Sequence, residues 1–140
     1  MADEYTTLAE FYNDIYAFRK QEVDFYAAKA REQQGPILEV GCGTGRVTLS
    51  LLATGEEIYG IDASPAMLQI LRQKLASRPE LLPHFYEGDM RHFDLGRKFQ
   101  QMFVPFRTFL HLDTVDEQLA ALRNFAKHLL AARMIIIAAR

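Results

Sequence analysis

Glu39-Val40-Gly41-Cys42-Gly43-Thr44-Gly45-Arg46 lies between a short apolar run, Ile37 to Val40, and a helical pattern carried by Val47, Leu49 to Leu52 and Ala53. Pro36 bounds the run on one side and Gly55 ends the helix, so the segment reads as strand, glycine turn, helix. Glycines at such a turn let a ligand approach the backbone with no Cβ in the way. The next apolar run, Glu57 to Ile61, ends on Asp62. That is roughly 20 residues past the glycines, where a nucleoside-binding α/β fold places an acid for the ribose hydroxyls. A third run, His84 to Gly88, leads into Asp89 and Met90. Three successive strand ends therefore carry the parts of a nucleoside pocket. A dinucleotide fingerprint would put its third glycine at position 46, where the helix packs on the strand. Arg46 stands there instead, which disfavours a nicotinamide-dependent oxidoreductase.

The same alternation extends in both directions. Upstream, Leu8, Phe11, Tyr12, Ile15 and Phe18 recur at helical spacing, and Val23, Tyr26 and Ala27 continue the pattern to Gly35-Pro36. This predicts two helices or one bent helix. Downstream, Ser64-Pro65 opens a helix with Met67, Leu68, Leu71 and Leu75 inward, with Ser64 as cap and Pro65 in the first turn. A fourth strand lies within Phe99 to Phe106. Thr114 and Glu117 have capping-box spacing ahead of an apolar stripe through Leu119, Leu122, Phe125, Leu129 and Leu130. Met134 to Ala139 gives a fifth strand. Strands alternating with helices predict a parallel sheet covered on both faces, with ligands at the carboxyl ends of its strands.

With 140 residues, 49% of them apolar, the chain suits one core and one domain over 1–140, divided into a helical segment 1–34 and a core 35–140. Sixteen basic and 18 acidic side chains leave a net charge of −2. No broad positive field exists for a nucleic-acid backbone, although a local basic patch is compatible with that balance. Lone Cys42 cannot form an internal disulfide and is expected to fill space in the loop. Met1 to Tyr12 has no leader character, and Met134 to Ala139 is far short of the ~20 residues needed to cross a bilayer. A cytoplasmic protein without membrane contact is expected. The four His and one Cys have no metal-ligand spacing.

EVGCGTGR, then YGIDASPAML, then FYEGDMRHFDL together resemble the class I S-adenosylmethionine-dependent methyltransferases, especially small-molecule-type bacterial members, from about Tyr12 to the last strand. The resemblance implies a three-layer αβα Rossmann-like sheet of five strands in the order 3-2-1-4-5, lacking the family's C-terminal strands, and S-adenosyl-L-methionine as cofactor. It implies that Gly41, Gly43 and Gly45 pass beneath the methionine part while Glu39 supports the loop. Asp62 then takes the ribose hydroxyls, Ala63 and Met67 line the adenine side, Asp89 accepts from the adenine amino group and Met90 packs on the ring. The end of the fourth strand, Val104 to Arg107, flanks the sulfonium, and Tyr12 and Tyr16 help to lid the site.

The implied reaction is methyl transfer to a small-molecule acceptor. An activated methyl needs mainly a nucleophile held in line and water excluded, so no catalytic dyad is demanded. His111 is the best-placed general base or substrate contact, and Arg107 has the planar donor fork to recognise an acidic group. Phe99-Gln100-Gln101-Met102 lacks the acid that relatives usually place after the aromatic residue, and no Asn-Pro-Pro-Tyr signature is present. Leu130-Ala131-Ala132-Arg133 stands where relatives place a Pro-Gly-Gly turn. The chain ends after its fifth strand, which leaves a non-catalytic cofactor-binding module as the alternative reading. An apolar edge strand at Met134 to Ala139 further predicts a homodimer that covers it.

Overall fold

The computed structural model describes residues 20–138. Helix α1 (20–33) stops where Gln34 and Gly35 turn to positive φ, ahead of Pro36. There follow β1 (Ile37–Val40), α2 (Arg46–Ala53), β2 (Ile58–Asp62), α3 (Pro65–Lys74), a 3-10 turn (Pro79–His84), β3 (Phe85–Glu87), β4 (Phe99–Pro105), α4 (Phe106–Phe109), α5 (Val115–Lys127) and β5 (Leu129–Ala138). The strands form one sheet in the order β3-β2-β1-β4-β5, every pair parallel.

Both faces are covered because successive side chains of a strand point to opposite sides. Along β1, Ile37 packs with Tyr26 and Ala30 of α1 and Val47 and Leu51 of α2. Leu38 and Val40 instead join Ala121 and Phe125 of α5, with Phe99, Met102 and Val104 of β4. Helix α3 adds Leu68 and Leu71 to a third cluster around Cys42 and Phe85. The predicted three-layer architecture and strand order are present.

The helix starts follow local chemistry. Ser64 accepts the Met67 N–H at 3.3 Å and Pro65 takes the first turn of α3. Thr114 accepts the Glu117 N–H at 3.1 Å, while the Glu117 carboxylate reaches back to the Asp113 N–H at 3.2 Å. That is a capping box displaced by one residue.

One boundary differs from expectation. Leu129 and Leu130 do not continue the α5 stripe, because the helix ends at Lys127 and β5 begins at Leu129. His128 closes the helix, its Nδ1 lying 2.8 Å from the Asn124 carbonyl and its backbone N–H donating to Phe125. Pairing between β4 and β5 is irregular between Phe99 and Gln101, then regular from Met134 to Ala138, the stretch whose apolar run was read as strand. His84 and Gly88 flank β3 rather than belonging to it. Tyr12 and Tyr16 lie outside the described residues, and so does the Arg107 side chain.

Candidate functional site

The glycine loop leaves β1 with Gly41 at φ +79°. Its N–H donates to the Ile61 carbonyl at 2.8 Å, fastening the loop to the end of β2. A Cβ at Gly41 would run into the Thr108 side chain, so the residue is constrained both in conformation and in space. Gly43 also has positive φ, but the space around it is open. A Cβ there would meet no neighbour, so only the conformation favours glycine at this position. Gly45 completes the turn as the N-cap of α2.

Asp62 ends β2 directly opposite. One carboxylate oxygen accepts the Gly43 N–H at 2.8 Å and the other accepts the Ser64 N–H at 2.8 Å. The two bonds fix the plane of the carboxylate. A carboxylate has about four acceptor positions, so roughly two remain for a ligand. The half-buried position leaves them accessible.

Glu39 is buried beneath the loop, and its carboxylate accepts a short hydrogen bond from the Thr48 hydroxyl of α2. Burial pushes the carboxyl up to about 8, against the opposing pull of the Thr48 bond. The acid thus ties β1 to α2 across the loop as a largely protonated group at neutral pH. At the other side of the loop, Arg46 Nη2 meets the Glu22 carboxylate at 2.8 Å, joining α2 to α1. The position denied to glycine therefore carries a tertiary ion pair. Cys42 is buried, and desolvation raises its thiol, consistent with a space-filling group.

Two cavities lie at the carboxyl ends of the strands. One, about 120 Å3, is lined by Gly41, Asp62, Ala63, Met90, Thr108 and His111 among others. The second, about 210 Å3, shares Ala63, Met90 and His111 and adds Asp89, Arg91 and Glu117. The shared residues make them one tract. Asp89 accepts from Arg91 through Nε at 2.9 Å, Nη2 at 2.7 Å and the backbone N–H at 2.8 Å. The Arg91 side-chain bonds hold its carboxyl low, at about 2. Asp89 is consequently an ionised, oriented acceptor.

Of the residues expected at the site, Gly41, Asp62, Ala63, Asp89, Met90 and His111 line this tract, whereas Glu39, Gly43 and Gly45 line neither cavity and Val104 and Met67 stand apart from both. Val104 has no exposed surface and packs in the core with Leu38 and Val40. Its place at the cleft is taken by Thr108, which α4 turns back over Gly41. Met67 is 45% exposed on the first turn of α3 and does not line either cavity. Thr108 and Arg91 were missed. Both follow strands already identified, and their proximity to the mouth of a parallel sheet was the available signal. Among the described residues, no group of three His, Cys, Asp or Glu could hold a metal, and no helix is long and apolar enough to cross a membrane.

A glycine turn under one acid, a second acid beyond it and a parallel 3-2-1-4-5 sheet define a nucleoside-cofactor domain of Rossmann-like type. Residues 37–131 match the methyltransferase domain family, and the chain belongs to that family. It is 30% identical over 143 residues to a dTDP-3-amino-3,6-dideoxy-alpha-D-glucopyranose N,N-dimethyltransferase from Streptomyces fradiae, covering 97% of this chain and 54% of that protein. Among solved structures it is similar to DesVI of Streptomyces venezuelae, with TM-score 0.73 and 28% identity over 92% of this chain and 56% of that one. It is also similar to an amino pentose methyltransferase from Micromonospora echinaspora solved with S-adenosylmethionine bound, with TM-score 0.71 and 31% identity over 90% of this chain and 54% of the other. The chain spans about half the length of the curated relatives it matches.

Proposed function

We propose that the chain binds S-adenosylmethionine in this tract and transfers its methyl group to an amino nitrogen of a small, sugar-type acceptor. The observation that carries the reading is the Asp62 carboxylate, held by Gly43 and Ser64 at the mouth of the sheet with acceptor positions to spare. Asp62 takes the ribose hydroxyls and the glycine loop passes beneath the methionine part. Asp89 accepts from the adenine amino group, with Ala63 and Met90 against the ring. The acceptor class follows the relatives, whose names describe amino-sugar and glycopeptide N-methyl transfer.

When bound, the cofactor supplies an activated methyl on sulfur. The chain's own residues hold the nucleophile in line and keep water away, which is most of what such a transfer requires. The new N–C bond forms as the C–S bond breaks, and the nitrogen loses a proton. His111, on the turn after α4 and lining both cavities, is placed to receive it. Arg107 stands in the same segment as a contact for an acidic group, and Tyr12 and Tyr16 as parts of a lid.

His111→Ala tests the transfer step. With an amino-sugar acceptor and labelled cofactor, kcat falls about 100-fold or more while cofactor affinity stays within roughly threefold, the usual scale of a lost general base. Unchanged turnover would remove His111 from the reaction. Cofactor binding without turnover on any amine would favour the non-catalytic module.

A homodimer is part of the same proposal. Among the described residues, strand β5 occupies a sheet edge, and α5 exposes Val115, Leu119 and Leu122 along one helical stripe. Unpaired strand edges and apolar stripes of this kind favour association. Sedimentation at micromolar concentration is expected to give twice the chain mass, and a monomer there overturns the dimer.

A further inference from the structure

The near-neutral net charge conceals an uneven distribution. The segment from Arg91 to Lys98, which returns from the end of β3 to the start of β4, runs beside α5 and encloses with it a groove of about 640 Å3. Arg91, Arg97 and Lys98 of that segment and Arg123 and Lys127 of α5 line the groove, against a single acid, Asp94. The Asp94 side chain is 88% exposed, so its charge is well solvated. Arg91 is engaged by Asp89. Among the described residues, Lys98, Arg123 and Lys127 have no ion-pair partner.

The groove is built rather than incidental. Asn124 of α5 donates to the Met90 carbonyl at 3.3 Å, and the buried His128 ring accepts the Leu95 N–H at 3.3 Å. These bonds tie the segment to the helix at two points. Phe93 packs on the His128 ring at 4.4 Å and on Phe125 at 6.4 Å, forming an apolar base. Arg97 is held by stacking, its guanidinium centre 4.2 Å from the Tyr59 ring and 5.1 Å from Phe99, and by the Glu57 carboxylate 3.9 Å from its Nη2. Its Nε is buried with no hydrogen-bond partner. A stacked, ion-paired guanidinium thus stands in the wall of a concavity that the solvated cations Lys98, Arg123 and Lys127 surround.

We propose that this groove is a second binding site, distinct from the cofactor tract, for a small molecule bearing a diphosphate or two phosphates. Planar guanidinium forks and ammonium groups match phosphate oxygens, and a single carboxylate would engage only a fraction of these donors. The volume falls in the range of small-ligand pockets, roughly 300–1,000 Å3. Concavity and the overall charge of −2 favour a compact anion over an extended polyanion. Arg91 lines both this groove and the cavity holding Asp89, so the two sites adjoin without sharing the glycine loop.

The test is calorimetric titration of the intact protein with inorganic pyrophosphate and with ADP. Saturable binding of both is expected, and saturating S-adenosylmethionine does not displace pyrophosphate. A variant combining Lys98→Ala, Arg123→Ala and Lys127→Ala, all exposed positions, weakens pyrophosphate binding about tenfold or more, since charge-assisted hydrogen bonds are lost. Its affinity for S-adenosylmethionine stays within roughly twofold of the parent, as expected for substitutions away from the cofactor contacts. The absence of saturable pyrophosphate binding, or equal binding by the variant, overturns the proposal. So does selective retention on phosphatidylglycerol vesicles or a single-stranded oligonucleotide with neither small anion bound. The separate cofactor titration keeps failure of this site distinguishable from failure of the methyltransferase reading.

Discussion

Titration of S-adenosylmethionine into the Asp62→Ala variant is expected to show no measurable binding under conditions where the parent chain saturates. Each hydrogen bond to a charged group is worth about 1.5–3 kcal/mol. Loss of two ribose contacts therefore removes at least ~3 kcal/mol, roughly 100-fold in affinity at 1.4 kcal/mol per decade. The loop suffers as well. The Gly43 and Ser64 N–H groups lose the acceptor that holds them, at 2.8 Å each. The cradle is then no longer preorganised, and ordering it must be driven by the ligand.

Asp62→Asn separates the two effects. It keeps one acceptor oxygen and nearly the same shape, so an intermediate affinity is expected. Thermal unfolding supplies the control, because Asp62 is only half-buried and its removal opens no core cavity. A shift of a few degrees in Tm is expected for a loss near 1 kcal/mol at this chain length. If Asp62→Ala binds within about threefold of the parent while remaining folded, the ribose assignment is wrong, since two charge-assisted bonds cannot be so cheap.

What the sequence made readable here depended on range. The glycine loop, Asp62 and the order of elements were accessible because strand, turn and helix signals are local and Asp62 ends the very next strand. The end of α5 was not. Leu129 and Leu130 satisfy helical periodicity, and a short apolar segment has no local mark that separates helix from strand. The decision rests with His128, whose ring meets Leu95 from a distant part of the chain. Asp89 was incompletely legible for a different, local reason. Its carboxylate was legible as an acid at a strand end, but its clamp by Arg91 requires the chain to turn back within two residues. Thr108 was hidden for a related reason. Strand alternation points Val104 to the core, and the next group to reach the cleft depends on α4, a helical turn of four residues. Strand ends could be read, whereas the turns that aim side chains across them could not.

Glu39 carries the strongest consequence for stability. Burial pushes its carboxyl in the folded chain up to about 8, from 4.5 for an unperturbed carboxyl. Because the folded value is raised, the native state retains a proton that the unfolded chain releases. Stability from this group is complete below pH 4.5 and declines as the pH rises toward 8, with a slope of at most about 1.4 kcal/mol per unit. Asp89 acts in another window. Its carboxyl is depressed from 3.8 to about 2, so its contribution is present above pH 4 and is lost only as the pH falls through 2. Urea midpoints measured between pH 5 and 8 therefore isolate Glu39 from Asp89. The parent chain is expected to lose stability steadily across that interval. Glu39→Gln keeps an oxygen for the Thr48 hydroxyl and removes the titration, so its midpoints stay nearly level and exceed those of the parent at pH 8. Glu39→Ala behaves differently, leaving Thr48, which is fully buried, without its acceptor and destabilising by roughly 1–3 kcal/mol at every pH. An unchanged slope in Glu39→Gln would show that another group governs this range and that burial does not keep the Glu39 proton in place. Glu39, kept neutral by burial, lies beneath the loop that presents Gly43 to Asp62, while Asp89, kept ionised by Arg91, stands at the cavity beyond it. Exchanging those environments would place a charge in the core and remove the oriented anion that Arg91 holds at the cavity, so the site depends on which side of the glycine turn each acid occupies.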